Sequence, residues 1–248
     1  MTTYGAVHFF TIDAVTYASS ALCLLGVKIA EKKKSVERSI EHVFHSISSF
    51  ITWSFHHASI RTLFLFTFLI VFLNTWVWEV GLLLALSEVT FKSEEMYSLI
   101  QGVFGAVVIG ANLIIPLIIK RLTLAIYMVG SCIWGAGLLY YGIWYELEHF
   151  FIGAVLVGIG IPIAGLARVY LLQTIVPEDR LGRGFSTNAV LLYLANTLSL
   201  ALYGALASFI EVQVLMIVSG FAMVLASSCY LIVTSSKLRG RFTVQSFK

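Results

Sequence analysis

Charge is what this sequence has least of. Asp, Glu, Lys and Arg make up 12% of the 248 residues, against roughly a quarter in soluble domains. Hydrophobic residues make up 59%, and the mean hydropathy is +0.92. So little charge on so much apolar surface excludes a chain that keeps its outside in water, and lipid is the solvent that tolerates it. Cysteine is also scarce. Cys23, Cys132 and Cys229 are odd in number, lie inside apolar runs and have no zinc-like spacing, so a disulfide framework or a metal site is not expected. They read as buried free thiols. There is no GxSxG, no metalloprotease motif, no glycine-rich nucleotide loop and no pair of intramembrane aspartates, so neither an enzyme nor a cofactor is expected. The start, Met1-Thr2-Thr3-Tyr4, lacks a basic region, and the first apolar run carries Asp13, which argues against a cleavable signal peptide.

Long apolar runs are what the sequence does have. Seven can be marked: Val7 to Val27, 62 to 86, Ser98 to Ile119, Thr123 to Trp144, Phe150 to Ile175, Thr187 to Phe209, and Val214 to Val233. Each is close to the ~20 residues that cross ~30 Å of hydrocarbon at about 1.5 Å per residue. None alternates apolar with polar as a barrel strand does. A continuous apolar run in lipid must satisfy its backbone within itself, which a helix does. The expectation is an all-α membrane protein of about seven transmembrane helices.

Numbering the loops alternately by side separates the basic residues. One side carries Lys32, Lys33, Lys34, Arg38, Arg61, Lys120, Arg121, Arg180, Arg183, Lys237, Arg239 and Arg241. The other carries "SEVTFKSEEM", "YELEH" and "EV", with Lys92 as its one basic residue. Lys and Arg stay cytoplasmic, so the N-terminus is expected outside and the C-terminus inside. Basic residues used in this way set topology and do not point to nucleic acid. Tyr140, Tyr141, Trp144 and Tyr145 cluster where an outer aromatic belt belongs. Between the first and second runs, Ile40, Val43, Phe44, Ile47, Ile51 and Phe55 recur at three and four residues. Arg38, Glu41, His42, His45 and Ser49 fill much of the remainder. This is the pattern of an amphipathic helix over Ser35 to His57, too polar to span and expected along the cytoplasmic surface. His42, His45, His56 and His57 have no HExxH spacing and no completing ligand, so they read as solvated side chains. The segmentation is thus a helix within 1–30, a linker over 31–61, six helices over 62–236 and a tail over 237–248.

Ionisable groups inside a membrane are costly and are candidates for function. Arg168, deep in the fifth run, either snorkels to the cytoplasm or lines a water-filled cavity. Glu79, beside Trp76 and Trp78, reads as a protonatable coupling group or cation contact, or as an interfacial carboxylate reaching outer water. Asp13 reads as a functional acid, as a polar contact between helices, or as an anion suited to a helix N-terminus. Gln101 and Asn112 share a stripe of the third run, Asn188 and Asn196 form a looser face on the sixth, and Asn74 sits mid-run in the second. These five line a path or bond helix to helix. Gly158, Pro162 and Gly165 fall within about 60° on a helical wheel, as a hinge or as a close-packing face. Glu178, Asp179, Arg180 and Arg183 form a candidate cytoplasmic latch, or plain topology-setting charge.

An amphipathic connector followed by six tightly joined spans resembles the major facilitator superfamily from its sixth helix onward. "FFTIDAVTYASSALCLL" is similar to the sixth helix of its macrolide-efflux and enterobactin-exporter-like group. "GANLIIPLIIKRLT" resembles the passage between helices eight and nine. "LLQTIVPEDRLGRGFS" resembles the join of helices ten and eleven, with Leu181 interrupting the usual pattern. The resemblance covers nearly the whole chain. It implies a partial major facilitator fold and a bacterial cytoplasmic membrane. It also implies a secondary exporter of small amphipathic molecules, proton-coupled, working by alternating access. The family's first five helices have no counterpart here, and its substrate site lies between two halves. The expectation is therefore a truncated or split transporter, or one whose start lies upstream. Its partners would be the lipid bilayer, a small-molecule substrate, and a missing N-terminal half or a homodimer partner. A non-transporting remnant or partner subunit is the alternative. A seven-helix receptor fits less well, because the connections are short and the last run has no lysine for a retinal Schiff base.

Overall fold

The computed structural model describes residues 6–26, 40–206 and 208–245, with side chains described over 10–26, 47–206 and 208–236. Every regular element among them is helical. The chain divides into two compact units, 1–43 and 44–248. The first contains α1 (Ala6–Leu25). Taken by itself, α1 is a 20-residue apolar helix whose described side chains, from residue 10 on and Asp13 and Cys23 among them, are exposed. The helix α2 (Ile40–His56) leads into the second unit.

The second unit holds six helices long and apolar enough to cross a membrane. In order they are α3 (Ala58–Thr75) continued through a π-helical turn into α4 (Leu82–Val89), then α5 (Ser93–Ile118), α6 (Leu124–Ile143), α7 (Leu147–Ile175), α8 (Leu181–Leu206) and α9 (Val212–Gln245). The protein is thus a multi-pass membrane protein by length and composition. Six such helices are found among the described residues, against the seven expected. The described apolar stretch of α1, Phe10–Leu25, falls short of the length the other six reach. Boundaries follow local chemistry. Thr123 caps α6, its hydroxyl accepting from the Ile126 N–H at 3.3 Å. α7 stops at Val176, because the residue before Pro177 is pushed out of the helical region.

α6 is the packing centre, and glycine makes it so. Gly130 and Gly137 face α7, where they meet Ala164 and Val157. Gly135 and Gly142 face α9, where they meet Met223 and Ile217. Each pair is seven residues apart, two turns along one stripe. A Cβ on Gly130 would stand 2.6 Å from the Ala164 nitrogen, and one on Gly135 would stand 2.6 Å from the Met223 Cβ. On the facing helices, Gly160 rests on the Trp134 backbone and Gly220 on the Leu139 backbone. Lipid tails are as apolar as leucine, so burial alone does not hold helices together. Close approach through small residues does.

On α2, Phe50 and Ser54 are buried against the bundle, while Ile47, Ile51 and Phe55 of the expected apolar stripe are exposed; the side chains of Ile40, Val43 and Phe44 lie outside the described residues. The cysteines need a correction too. They are free thiols, but Cys229 is exposed and Cys132 only partly covered. An apolar run in a bundle has an outward face as well as an inward one, so lying within a run does not bury a residue in protein.

Gly160→Ala and Gly220→Ala should each lower stability by about 1–3 kcal/mol through overpacking against backbone. Gly102→Ala, with nothing within 4 Å of the added carbon, should be neutral or slightly stabilising. Thermal unfolding of the three variants in one detergent checks the contrast.

Candidate functional site

The middle of the second unit carries a seam of polar groups. It begins where the first long helix passes from α to π geometry. The Phe72 carbonyl and the Trp76 N–H lie four residues apart, the spacing of one ladder bond. The Ser199 hydroxyl of α8 reaches both: Trp76 N–H donates to Ser199 Oγ at 3.0 Å, and Ser199 Oγ donates to the Phe72 carbonyl at 2.7 Å. One hydroxyl accepts once and donates once, so both contacts can be made together. The π turn, Trp76–Gly81, begins at this point. The other members tie further helices in. Trp76 Nε1 donates to Ser219 Oγ of α9 at 2.8 Å, and Trp134 Nε1 of α6 donates to Asn74 Oδ1 at 2.8 Å. Thr75 Oγ1 lies 2.6 Å from Asn196 Oδ1 and 2.7 Å from the Val71 carbonyl. One hydroxyl proton cannot serve both acceptors well. Turning the Asn196 amide so that its nitrogen donates to Thr75 lets Thr75 donate to Val71, and every partner is then satisfied. Ser199 and Ser219 are fully buried.

Against this seam lies a cavity of about 130 Å³, bounded by α3, α6, α7 and α8, with Val71, Tyr127, Trp134, Gly165, Arg168 and Leu192 in its wall. Trp134 belongs to both features: its indole nitrogen holds Asn74 and its ring lines the cavity. Tyr127 Oη and Thr67 Oγ1, both buried, are hydrogen-bonded at 3.0 Å. Arg168 is the one charged residue in the wall. Its Nε is buried and has no hydrogen-bond partner. The ion pairs among the described residues, Lys92–Glu95 and Asp179–Arg180, do not involve it.

The structure brings together Arg168, Asn74, Asn196 and Gly165 of the sequence candidates. The others lie apart. Glu79 is exposed on the π turn. Gln101 donates to Tyr97 Oη at 2.8 Å within its own helix. Asn112 is exposed and donates to the Val108 carbonyl at 2.8 Å. Asn188 is buried with its Oδ1 unpartnered. Asp13 belongs to the other unit. Gly158 packs on α5, where a Cβ would meet Val107 Cγ1 at 3.0 Å, whereas Gly165 faces open space. Pro162 is buried between them.

At the end of the bundle bearing Arg180, Asp179 and Arg180 pair with each other at 3.6 Å, and the Arg180 guanidinium lies 5.7 Å from the ring centre of Trp53 on α2. Glu178 is exposed and Arg183 partly so. His56 and His57 bond backbone carbonyls of their own helix at 2.7 and 2.8 Å, while the side chains of His42 and His45 lie outside the described residues. No group of three or more metal-ligating residues occurs among the described residues. At the opposite end, Tyr145 Oη donates to Glu88 at 2.7 Å. Burial, and then that carboxylate, push the Tyr145 phenol well above its ordinary range.

Ser199, Ser219, Thr67, Thr75, Trp76, Tyr127 and Trp134 were not among the sequence candidates. One signal was present: Ser199 follows Asn196 by three residues, on the same face of α8. Comparison of the chain with models of known families, with curated proteins and with solved structures finds no match.

Ser199→Ala should cost about 1–3 kcal/mol if the Phe72 carbonyl and Trp76 N–H are left without partners. Ser235→Ala, which removes an exposed bond to the carbonyl three residues back, should stay within about 0.5 kcal/mol. Equal melting temperatures for the two variants would mean that α3 satisfies these groups within its own ladder.

Proposed function

We propose that the chain is the C-terminal portion of a secondary transporter of the major facilitator kind, exporting small amphipathic molecules by alternating access coupled to protons. The observation that carries this reading is the Arg168 cavity, an unpaired cation in the midst of apolar helices. Arg168 is half-buried and its Nε is cut off from solvent without a partner; a structural arginine so placed would be expected to have a counter-charge, because taking charge out of water is costly. Three features support it. The amphipathic α2 precedes six apolar helices, as the long connector precedes the second half in the family that the sequence resembles. In α5 and α8, only 11% of the most apolar window is buried in each, leaving broad surface that a second half would cover. The loops divide by charge, which favours the N-terminus outside, the C-terminus in the cytoplasm and a bacterial cytoplasmic membrane as the setting.

The role of a second half decides between transport and the alternative of a partner subunit or remnant. The chain is reconstituted in proteoliposomes, alone and with a candidate five-helix N-terminal portion. Accumulation of lipophilic cations and organic anions is then followed under an imposed pH gradient. Uptake by the chain alone, reduced at least tenfold in Arg168→Ala or Glu79→Gln, makes it self-sufficient. Uptake restored only by the added portion makes it half of a split carrier. Silence in both, from folded protein, overturns the transport reading. Orientation has its own check. A membrane-impermeant maleimide should label Lys92→Cys in intact cells and should reach Lys120→Cys only after lysis.

A further inference from the structure

From the cavity beside the polar seam, we infer that Arg168 and its apolar surroundings bind the carboxylate of a small organic monoanion. The inference deepens the transport reading and rests on it for its biological use, but binding itself is an equilibrium property that transport need not accompany.

The charge argument comes first. Arg168 is half-buried with its Nε cut off from solvent, and taking part of a guanidinium out of water is costly unless a counter-charge is close. None of the described acidic residues supplies one. Glu88 is engaged by Tyr145, Glu95 and Asp179 are in other pairs, Glu79 is exposed, and no carboxylate lines the cavity. The missing negative charge therefore comes from the ligand.

The donor geometry selects the type of anion. The planar guanidinium also carries its two terminal Nη–H groups side by side, and this fork matches the two oxygens of a carboxylate. A spherical halide uses that edge poorly. The walls select against higher charge. Arg168 is the one cation present, and Val71, Trp134 and Leu192 supply apolar surface. A dianion such as phosphate would bring a second negative charge with nothing to meet it, whereas a monoanion is neutralised and its apolar body is accommodated. Tyr127 adds a polar contact. Its hydroxyl and that of Thr67 share one hydrogen bond but carry two protons, so one proton of the pair is not consumed by that bond. Size sets the final limit. A cavity of about 130 Å³ accepts a carboxylate head with a short stem, and any larger body must extend outside.

The test is an NMR titration of ¹³C-labelled propionate against the full chain, purified in neutral detergent and checked for folding by its thermal transition. Saturable binding is expected, at least tenfold tighter than chloride measured by competition, with no competition from propylammonium. Arg168→Gln should weaken propionate at least tenfold. Arg168→Lys, which keeps the charge but not the fork, should lose the preference for propionate over chloride. Gly165→Leu fills the cavity from a position with nothing within 4 Å of its added carbon, and should abolish binding with Arg168 intact. That variant keeps the inference testable should the Arg168 substitutions fail to fold. Laurate distinguishes the source: competition matching that of propionate points to a fatty acid from the bilayer, and weak competition points to a water-soluble acid. The inference is overturned by folded protein that shows no saturation, by chloride binding as tightly as propionate, or by unchanged affinity in Arg168→Gln or Gly165→Leu. Propionate binding that persists beside absent transport would retire the carrier reading and leave the site standing.

Discussion

A single hydroxyl ties the first long helix to its neighbour. Hydrocarbon offers no water to a backbone N–H or carbonyl, so a helix there is held to its own ladder or to groups from a neighbouring helix. Ser199 supplies such a group, bonding both the Trp76 N–H and the Phe72 carbonyl where the π turn at Trp76–Gly81 begins. Two consequences meet there. α3 is tied to α8 through its backbone at that level. The Trp76 indole also reaches Ser219 of α9, so three helices are registered at one level. Bonds of this class average only about 0.6 kcal/mol in membranes. Their weight here comes from converging on one level, where they set the register of three helices.

The glycines of α6 provide the complementary constraint. They let α7 and α9 approach until backbone meets backbone, and that closeness leaves little freedom for sliding. α3 and α8, by contrast, meet through side-chain hydrogen bonds that can be exchanged one at a time. The unit therefore combines a tightly packed side, α6 with α7 and α9, and a polar side, α3 with α8. The cavity lies where the two sides adjoin. π turns recur at functional sites, and this one lies next to Thr75 and Asn74, the residues that bond Asn196 and Trp134.

Much of this architecture was legible in the sequence, for a physical reason. Spanning helices are written as long apolar runs because lipid demands it. Five of the six spans were placed within a few residues at most ends, although α9 runs well past the expected Val233. Arg168 was legible because charge in such a run is rare, and Asn74 and Asn196 because mid-run amides are. What was not legible came from pairing between helices. A serine is common on membrane helices, and nothing local distinguishes Ser199 from Ser235, which merely bonds its own helix. The π turn leaves no trace in hydropathy. The glycines of α6 recur at seven residues in the sequence, but nothing local says what they face, and Gly158 and Gly165 of α7, flanking Pro162, have the same appearance. Only a partner helix reveals that Gly158 is packed and Gly165 is not.

The seam and the cavity share Trp134, and that sharing links ligand to fold. The indole nitrogen is held by Asn74, which fixes the ring that walls the cavity. Asn74 sits one residue before Thr75 and two before Trp76, whose N–H meets Ser199. The residue that walls the cavity is therefore held by the same short stretch of α3 that bonds α8. A change in that stretch that turned Asn74 away would cost the Trp134 indole its partner. A cavity walled by α6 residues alone, on the closely packed side, would have no such connection, and the cation sits where the packed and polar sides adjoin.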